Sequence, residues 1–133
     1  MGLSNKSVLI VDDEPHIQLL LEQTLDEIEE AGVEILLASN GGEALELVKE
    51  HRPDVVLLDV MMPVMNGYEV CRTIKATAAL RGIYVILLTA KGQDLDRETG
   101  ARVGADLYIT KPFDPDEVLQ RVATVLDVEI MDF

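Results

Sequence analysis

What constrains this chain most is a rhythm. Five short aliphatic runs, Ser7–Val11, Val33–Ala38, Val55–Leu58, Tyr84–Leu88 and Leu107–Thr110, alternate with longer stretches of helical spacing. The first such stretch, Pro15 to Ala31, carries apolar residues at Ile17, Leu20, Leu21, Leu25 and Ile28, with Gly32 suited to its C-terminal cap. A second, Gly42 to Glu50, buries Ala44, Leu45 and Val48, and a third, Gly67 to Ala76, turns Val70, Cys71 and Ile74 inward. A fourth, Gln93 to Val103, has a thin stripe of Leu95, Thr99 and Val103, which fits an element able to move. The last follows "FDPDE" and uses Val118, Leu119, Val122, Val125 and Leu126. Strands alternating with helices predict an α/β fold, a parallel sheet covered on both faces. Nearly continuous apolar strands fit that double covering.

A chain of 133 residues suits one domain, with a core from about 7 to 126 and "VEIMDF" at 128–133 read as a short frayed tail. Apolar residues make up 48% and aromatics only 4%, so the core is aliphatic. Twenty-five acidic against 11 basic residues give a formal charge of −14, which repels phosphate backbones and anionic lipid. Neither direct nucleic-acid binding nor a membrane partner is expected. No apolar run approaches the roughly 20 residues of a membrane span, and the start, "MGLSNKSVLI", lacks the features of a signal peptide. The single cysteine, Cys71, excludes an internal disulfide and suits a reducing compartment, so a cytoplasmic location is expected. Cys71 reads as inert core, and His16 and His51 as solvated.

The stretch "DVVLLDVMMPVMNG" poses the functional question. An aliphatic run ends on a lone carboxylate, Asp59, where burial of charge is costly. In open α/β sheets the binding crevice lies beyond the carboxyl ends of the strands. There stand Asp12 and Asp13 after the first strand, Asp59 after the third, Thr89 and Ala90 after the fourth, and Lys111 after the fifth. Clustered carboxylates repel unless a cation joins them, and oxygen donors with open positions suit Mg²⁺. A lysine and a threonine hydroxyl beside them can hold an anion. Metal, anion and carboxylate together describe phosphoryl transfer, with Asp59 the best-placed nucleophile for an aspartyl-phosphate.

The set resembles the receiver domain of two-component response regulators, with a chemotaxis-regulator-like single domain as the simplest relative. The resemblance runs from about Ser7 to Leu126 and rests on "VDDE", "DVMMPVMNGYEV", "LTAK" and "GADLYITKPF" in order. It implies a flavodoxin-like doubly wound (βα)5 fold with strand order 2-1-3-4-5. It makes Asp59 the phosphoacceptor, supplied by a sensor histidine kinase or a histidine phosphotransfer protein. Asp13 and Asp59 would ligate Mg²⁺ directly, the Met61 carbonyl would be the third protein ligand, and Asp12 would act through a water. Thr89 and Lys111 would hold the phosphoryl oxygens, and Ala90 would leave room for the group. Thr89 and Tyr108 would form the switch, Lys111–Pro112 would be cis, and Pro63 and Gly67 would shape the loop. The output would be a changed face of the helix at 93–103, the strand at 107–110 and the last helix. That face would control a downstream protein or an attached effector, and the resemblance allows a homodimer through it. Such a domain assists its own phosphorylation and dephosphorylation without being an enzyme in the turnover sense. Met61 and Lys91 occupy two positions that tune the lifetime of the phosphorylated state, and they suggest one that is not especially short.

Rival functions fare differently. A flavodoxin-like cofactor carrier needs a Ser/Thr/Gly-rich loop where this chain has "DDEPH", and no G-x-G-x-x-G follows the first strand. An aspartate phosphatase of the haloacid dehalogenase type needs a second Asp at position 61, which is Met. The remaining alternative is a degenerate receiver acting as a phosphorylation-independent binding module. Such domains lose an acid, the acceptor or the lysine, and all are present here.

Overall fold

A computed structural model describes residues 6–90 and 103–130. Five strands, β1 (Ser7–Val11), β2 (Glu34–Ala38), β3 (Val55–Asp59), β4 (Tyr84–Ala90) and β5 (Leu107–Lys111), form one parallel sheet in the order β2-β1-β3-β4-β5. This is the doubly wound architecture expected. The described helices are α1 (Pro15–Thr24), α2 (Asp26–Glu30), α3 (Gly41–His51), α4 (Gly67–Ala76) and α5 (Pro115–Leu126). The helix expected over Gln93–Val103 falls outside the described residues except for Val103, and Lys91 lies outside them too.

Successive strand residues point to opposite faces, and two separate cores result. Leu9, Val11, Val56, Leu58, Val85 and Leu87 pack with Ala44, Val48, Val70, Cys71 and Ile74 of α3 and α4. Val8, Ile10, Val55, Leu57, Ile86 and Leu88 pack with Leu21, Leu25 and Ile28 and with Val118, Val122 and Leu126 of α5. Because both faces are covered, every residue from Val8 to Val11 and from Val55 to Leu58 is fully buried. Each large aliphatic side chain so buried contributes about 1.5–3 kcal/mol.

Three expectations need correction. The helix from Pro15 to Ala31 is not continuous: it breaks at Leu25, whose ψ is 11°. The Thr24 hydroxyl donates to the Leu20 carbonyl at 2.8 Å, a back-bond that bends helices. Leu20, placed in the buried stripe by its spacing, is 40% exposed. The tail is not frayed over 128–130. Asp127 adopts a left-handed φ of 57°, and the Val128 N–H returns to the Ala123 carbonyl at 2.9 Å. That reversal turns the chain back, so Val128 is buried and Ile130 packs against the second core. Lys6 Nζ also donates to the Leu126 carbonyl.

Candidate functional site

β3 runs one residue further than its aliphatic stretch, so Asp59 is the last residue of the strand and pairs with Leu88. Lys111 likewise ends β5, paired with Ala90, and Asp12 follows directly on β1. Alternation then assigns the side chains of Asp12, Asp59 and Lys111 to the face of the second core, that of Ile10, Leu57 and Ile109. Their convergence is a consequence of strand register.

The geometry is close. Lys111 Nζ lies 3.0 Å from Asp59 Oδ1 and 3.4 Å from Asp12 Oδ2. Asp12 Oδ1 also accepts the Glu14 N–H at 2.9 Å, and Asp59 Oδ1 the Met61 N–H at 3.3 Å. Asp12 is 0% and Asp59 2% exposed, whereas Asp13 is exposed at the rim. One oxygen from each of the three acids lies within 4.8 Å of those of the others.

Among the described residues, three carboxylates cluster here beside one ammonium, which touches two of them, Asp12 and Asp59. Burial pushes the Asp12 carboxyl above the usual carboxylate range, against the Glu14 N–H and Lys111, which favour its charge. Burial does the same to Asp59, and the neighbouring Asp12 adds to the rise while Lys111 opposes it. Burial alone would lower the Lys111 pKa, but its hydrogen bond to Asp59 and the charges of both acids hold it above the ordinary value. The donor set is all hard oxygen, partly open through Asp13, and short of positive charge. It fits a cation of the Mg²⁺ type, held by Asp12, Asp13 and Asp59.

The loop after β3 is held by α4. Asn66 and Glu69 form a reciprocal capping box: Asn66 Oδ1 accepts the Glu69 N–H and Glu69 Oε1 the Asn66 N–H, both at 3.1 Å. Gly67 is required because a Cβ there would lie 2.4 Å from the Asp59 carbonyl oxygen. Val64 between them has a left-handed φ of 68°, unusual for a β-branched residue, and projects into solvent. Met61 is 63% exposed while Met62 is buried, and a cleft of about 420 Å³ lies between Val60, Met61, Pro63 and Tyr68.

Thr89 is buried and falls two residues past Leu87–Tyr108 in the β4–β5 ladder, opposite Thr110. Leu87 and half-buried Tyr108 belong to the first core, so alternation places Thr89 and Tyr108 together on the face opposite the carboxylates. The Lys111–Pro112 peptide is cis. Cys71 is buried and its thiol is pushed up to about 11 by burial, as suits inert core. His16 is solvated, and His51 stands 2.9 Å from Glu50 at the end of α3.

A family model described as "Response regulator receiver domain" matches residues 8–123. The chain belongs to that family. This receiver domain is 41% identical over 122 residues to the alkaline phosphatase synthesis transcriptional regulatory protein PhoP of Bacillus subtilis, covering 92% of this chain and 49% of that protein. It is 39% identical to the DNA-binding response regulator MtrA of Mycolicibacterium smegmatis, over 92% of this chain and 51% of that one. The chain thus spans about half the length of these curated relatives. Among solved structures, the signal receiver domain of a DNA-binding response regulator from Colwellia psychrerythraea superposes with a TM-score of 0.84 at 30% identity, covering 92% and 98% of the two chains. The BeF3-activated DrrB receiver domain gives 0.80 at 35% identity, covering 92% and 97%.

Two features of the site were not read from the sequence. Lys111 bridges Asp12 as well as Asp59, which depends on β5 running past the level at which β1 ends, so that its last side chain reaches back over both. Gln18 reaches the strand ends from α1, and a glutamine on an amphipathic helix carries no signal of that kind. The Asn66–Glu69 capping box was legible in "NGYE", an Asn followed three residues later by Glu.

Proposed function

We propose that Asp59 is the phosphoacceptor of a two-component relay, supplied by a sensor histidine kinase or a histidine phosphotransfer protein. The observation that carries this reading is the buried Asp59 carboxylate, 3.0 Å from Lys111 and grouped with Asp12 and Asp13. An Asp59 Oδ–P bond forms while the donor's N–P bond breaks, its electron pair staying with the imidazole nitrogen. Asp12, Asp13 and Asp59, with the Met61 carbonyl, would hold Mg²⁺, which would supply charge neutralisation for the incoming group. Lys111 is already at Asp59 and moves its ammonium onto the phosphoryl oxygens, joined by the Thr89 hydroxyl.

The same step drives the switch. Thr89 is drawn toward the sheet edge, and Tyr108, which shares its face, fills the space behind it. That changes the surface around β5 and α5, through which a downstream protein, an attached effector or a second copy of the domain is engaged. The phosphoryl group biases an existing equilibrium through contacts that only one state makes. A cytoplasmic location goes with this role, and the domain itself needs no contact with nucleic acid.

The test is chemical. After treatment with Mg²⁺ and acetyl phosphate, borohydride reduction converts an aspartyl-phosphate to homoserine. Peptide mapping is expected to find homoserine at position 59. Homoserine at another aspartate, or none in protein that has gained a phosphoryl group, would contradict the assignment.

A further inference from the structure

Gln18 stands in α1, five residues after Asp13, and its side chain reaches the point where β1 and β2 both end. Its Nε2 lies 2.7 Å from the Asp12 carbonyl oxygen, 3.0 Å from that of Ala38 and 3.2 Å from Ser39 Oγ. Carbonyl oxygens only accept, so the amide nitrogen must face them, and its two hydrogens match the two carbonyls. The register of β1 with both neighbours ends at Val11, which leaves the Asp12 carbonyl past the last paired residue. Gln18 supplies a donor there. Ala38 meanwhile accepts the Asp12 N–H at 3.1 Å, and Asp12 Oδ1 accepts the Glu14 N–H. The main chain of Asp12 is therefore held on both sides, and its carboxylate from a third.

We propose that Gln18 is a positioning residue for the cation site. By holding the Asp12 carbonyl it fixes the backbone direction through Asp12 and Asp13, so that both carboxylates are aimed at Asp59 before a cation arrives. Groups that orient ligands in this way govern affinity without touching the metal. The inference rests on the metal-dependent phosphoacceptor reading above.

The experiment is calorimetric titration of Mg²⁺ into the parent, Gln18→Met and Gln18→Arg, with thermal unfolding of each measured in chelator. Gln18→Met keeps the shape and loses the donor, and its Mg²⁺ affinity is expected to fall on the order of tenfold. The Mg²⁺ concentration giving half-maximal labelling by acetyl phosphate should shift by the same factor, with the rate at saturating Mg²⁺ unchanged. Gln18→Arg retains donors and should bind close to the parent. If Gln18→Met does not fold, Gln18→Asn, one methylene too short to reach, replaces it with the same expected loss. Parent-like Mg²⁺ affinity in the donor-lacking variant, whatever its Tm, would overturn the inference and leave Gln18 a structural clamp. A parent that binds no Mg²⁺ would remove the underlying reading as well, so the two failures are distinguishable.

Discussion

At the amino ends of the strands, Lys75 Nζ lies 2.7 Å from Asp106 Oδ2 and donates to the carbonyls of Arg81 and Ile83 at 3.1 and 2.6 Å. Asp106 Oδ2 in turn accepts the Val85 N–H at 2.8 Å, and Asp54 Oδ2 accepts that of Ser7 at 2.9 Å. At the carboxyl ends, Lys111 meets Asp59 and Asp12, with Asp13 alongside. Both edges use a lysine and aspartates, yet only the first is closed. There one acid meets one base, and the hydrogen-bonding groups find partners in the chain itself. At the other edge, among the described residues, three acids cluster beside one base that touches two of them, and burial holds those two above the usual carboxylate range. Burying like charges without enough counter-charge destabilises the fold locally, and an edge built that way is suited to receive a cation and a phosphoryl group from outside.

Several substitutions would sharpen or break this contrast. The largest effect is expected at Gly67, where a Cβ would lie 2.4 Å from the Asp59 carbonyl oxygen. Gly67→Ala should cost about 3 kcal/mol by denaturant unfolding, since backbone must move to admit the methyl; a loss near zero would show that the α4–β3 contact is slack. At the closed edge, Asp106→Ala leaves the Val85 N–H without its acceptor and the half-buried Lys75 ammonium without its counter-charge, although Lys75 keeps the Arg81 and Ile83 carbonyls. It should cost about 2 kcal/mol while leaving Mg²⁺ affinity as in the parent. At the open edge the sign reverses. Asp59→Asn in chelator relieves like-charge repulsion and desolvation, and should raise Tm by roughly 4 °C, or about 1 kcal/mol. A fall of that size would mean that the Lys111–Asp59 pair outweighs the repulsion, and the contrast between the edges would fail.

The smallest effect is in pH. Asp12 and Asp59 have folded-state pKa values above the ordinary 3.8, so in that interval the folded state binds more protons than the unfolded one. Stability therefore falls as pH rises from the ordinary carboxylate value through the raised ones, and the penalty is complete above them. The parent in chelator should lose roughly 2–4 °C of Tm across this window relative to Asp12→Asn/Asp59→Asn. Saturating Mg²⁺ should flatten the curve. Parallel pH curves for the two proteins would remove the electrostatic account of the open edge.

Much of this was legible in the residues. The aliphatic runs marked all five strands, most plainly β1 and β3, where both sheet faces are covered, and α4 was bounded as Gly67–Ala76. The strand ends were placed short at Leu58, Leu88 and Thr110, although β3, β4 and β5 continue to Asp59, Ala90 and Lys111. A polar side chain ends an apolar run but does not stop a backbone ladder, and those extra residues hold the site. The break at Leu25 and the exposure of Leu20 were not legible, because helical spacing reports a face and not a bend. The closed Lys75–Asp106 edge was missed for a related reason. Its partners lie 31 residues apart and meet only once α4 packs beside the start of β5.

The most direct test is intact-protein mass after incubation with Mg²⁺ and acetyl phosphate, with parent, Asp59→Asn and Asp106→Asn run side by side. The parent and Asp106→Asn should each gain one phosphoryl group, Asp59→Asn should gain none, and chelation should abolish every gain. Labelling that persists in Asp59→Asn, or a parent that binds Mg²⁺ and is not labelled, would contradict the assignment of the open edge as the phosphoacceptor site.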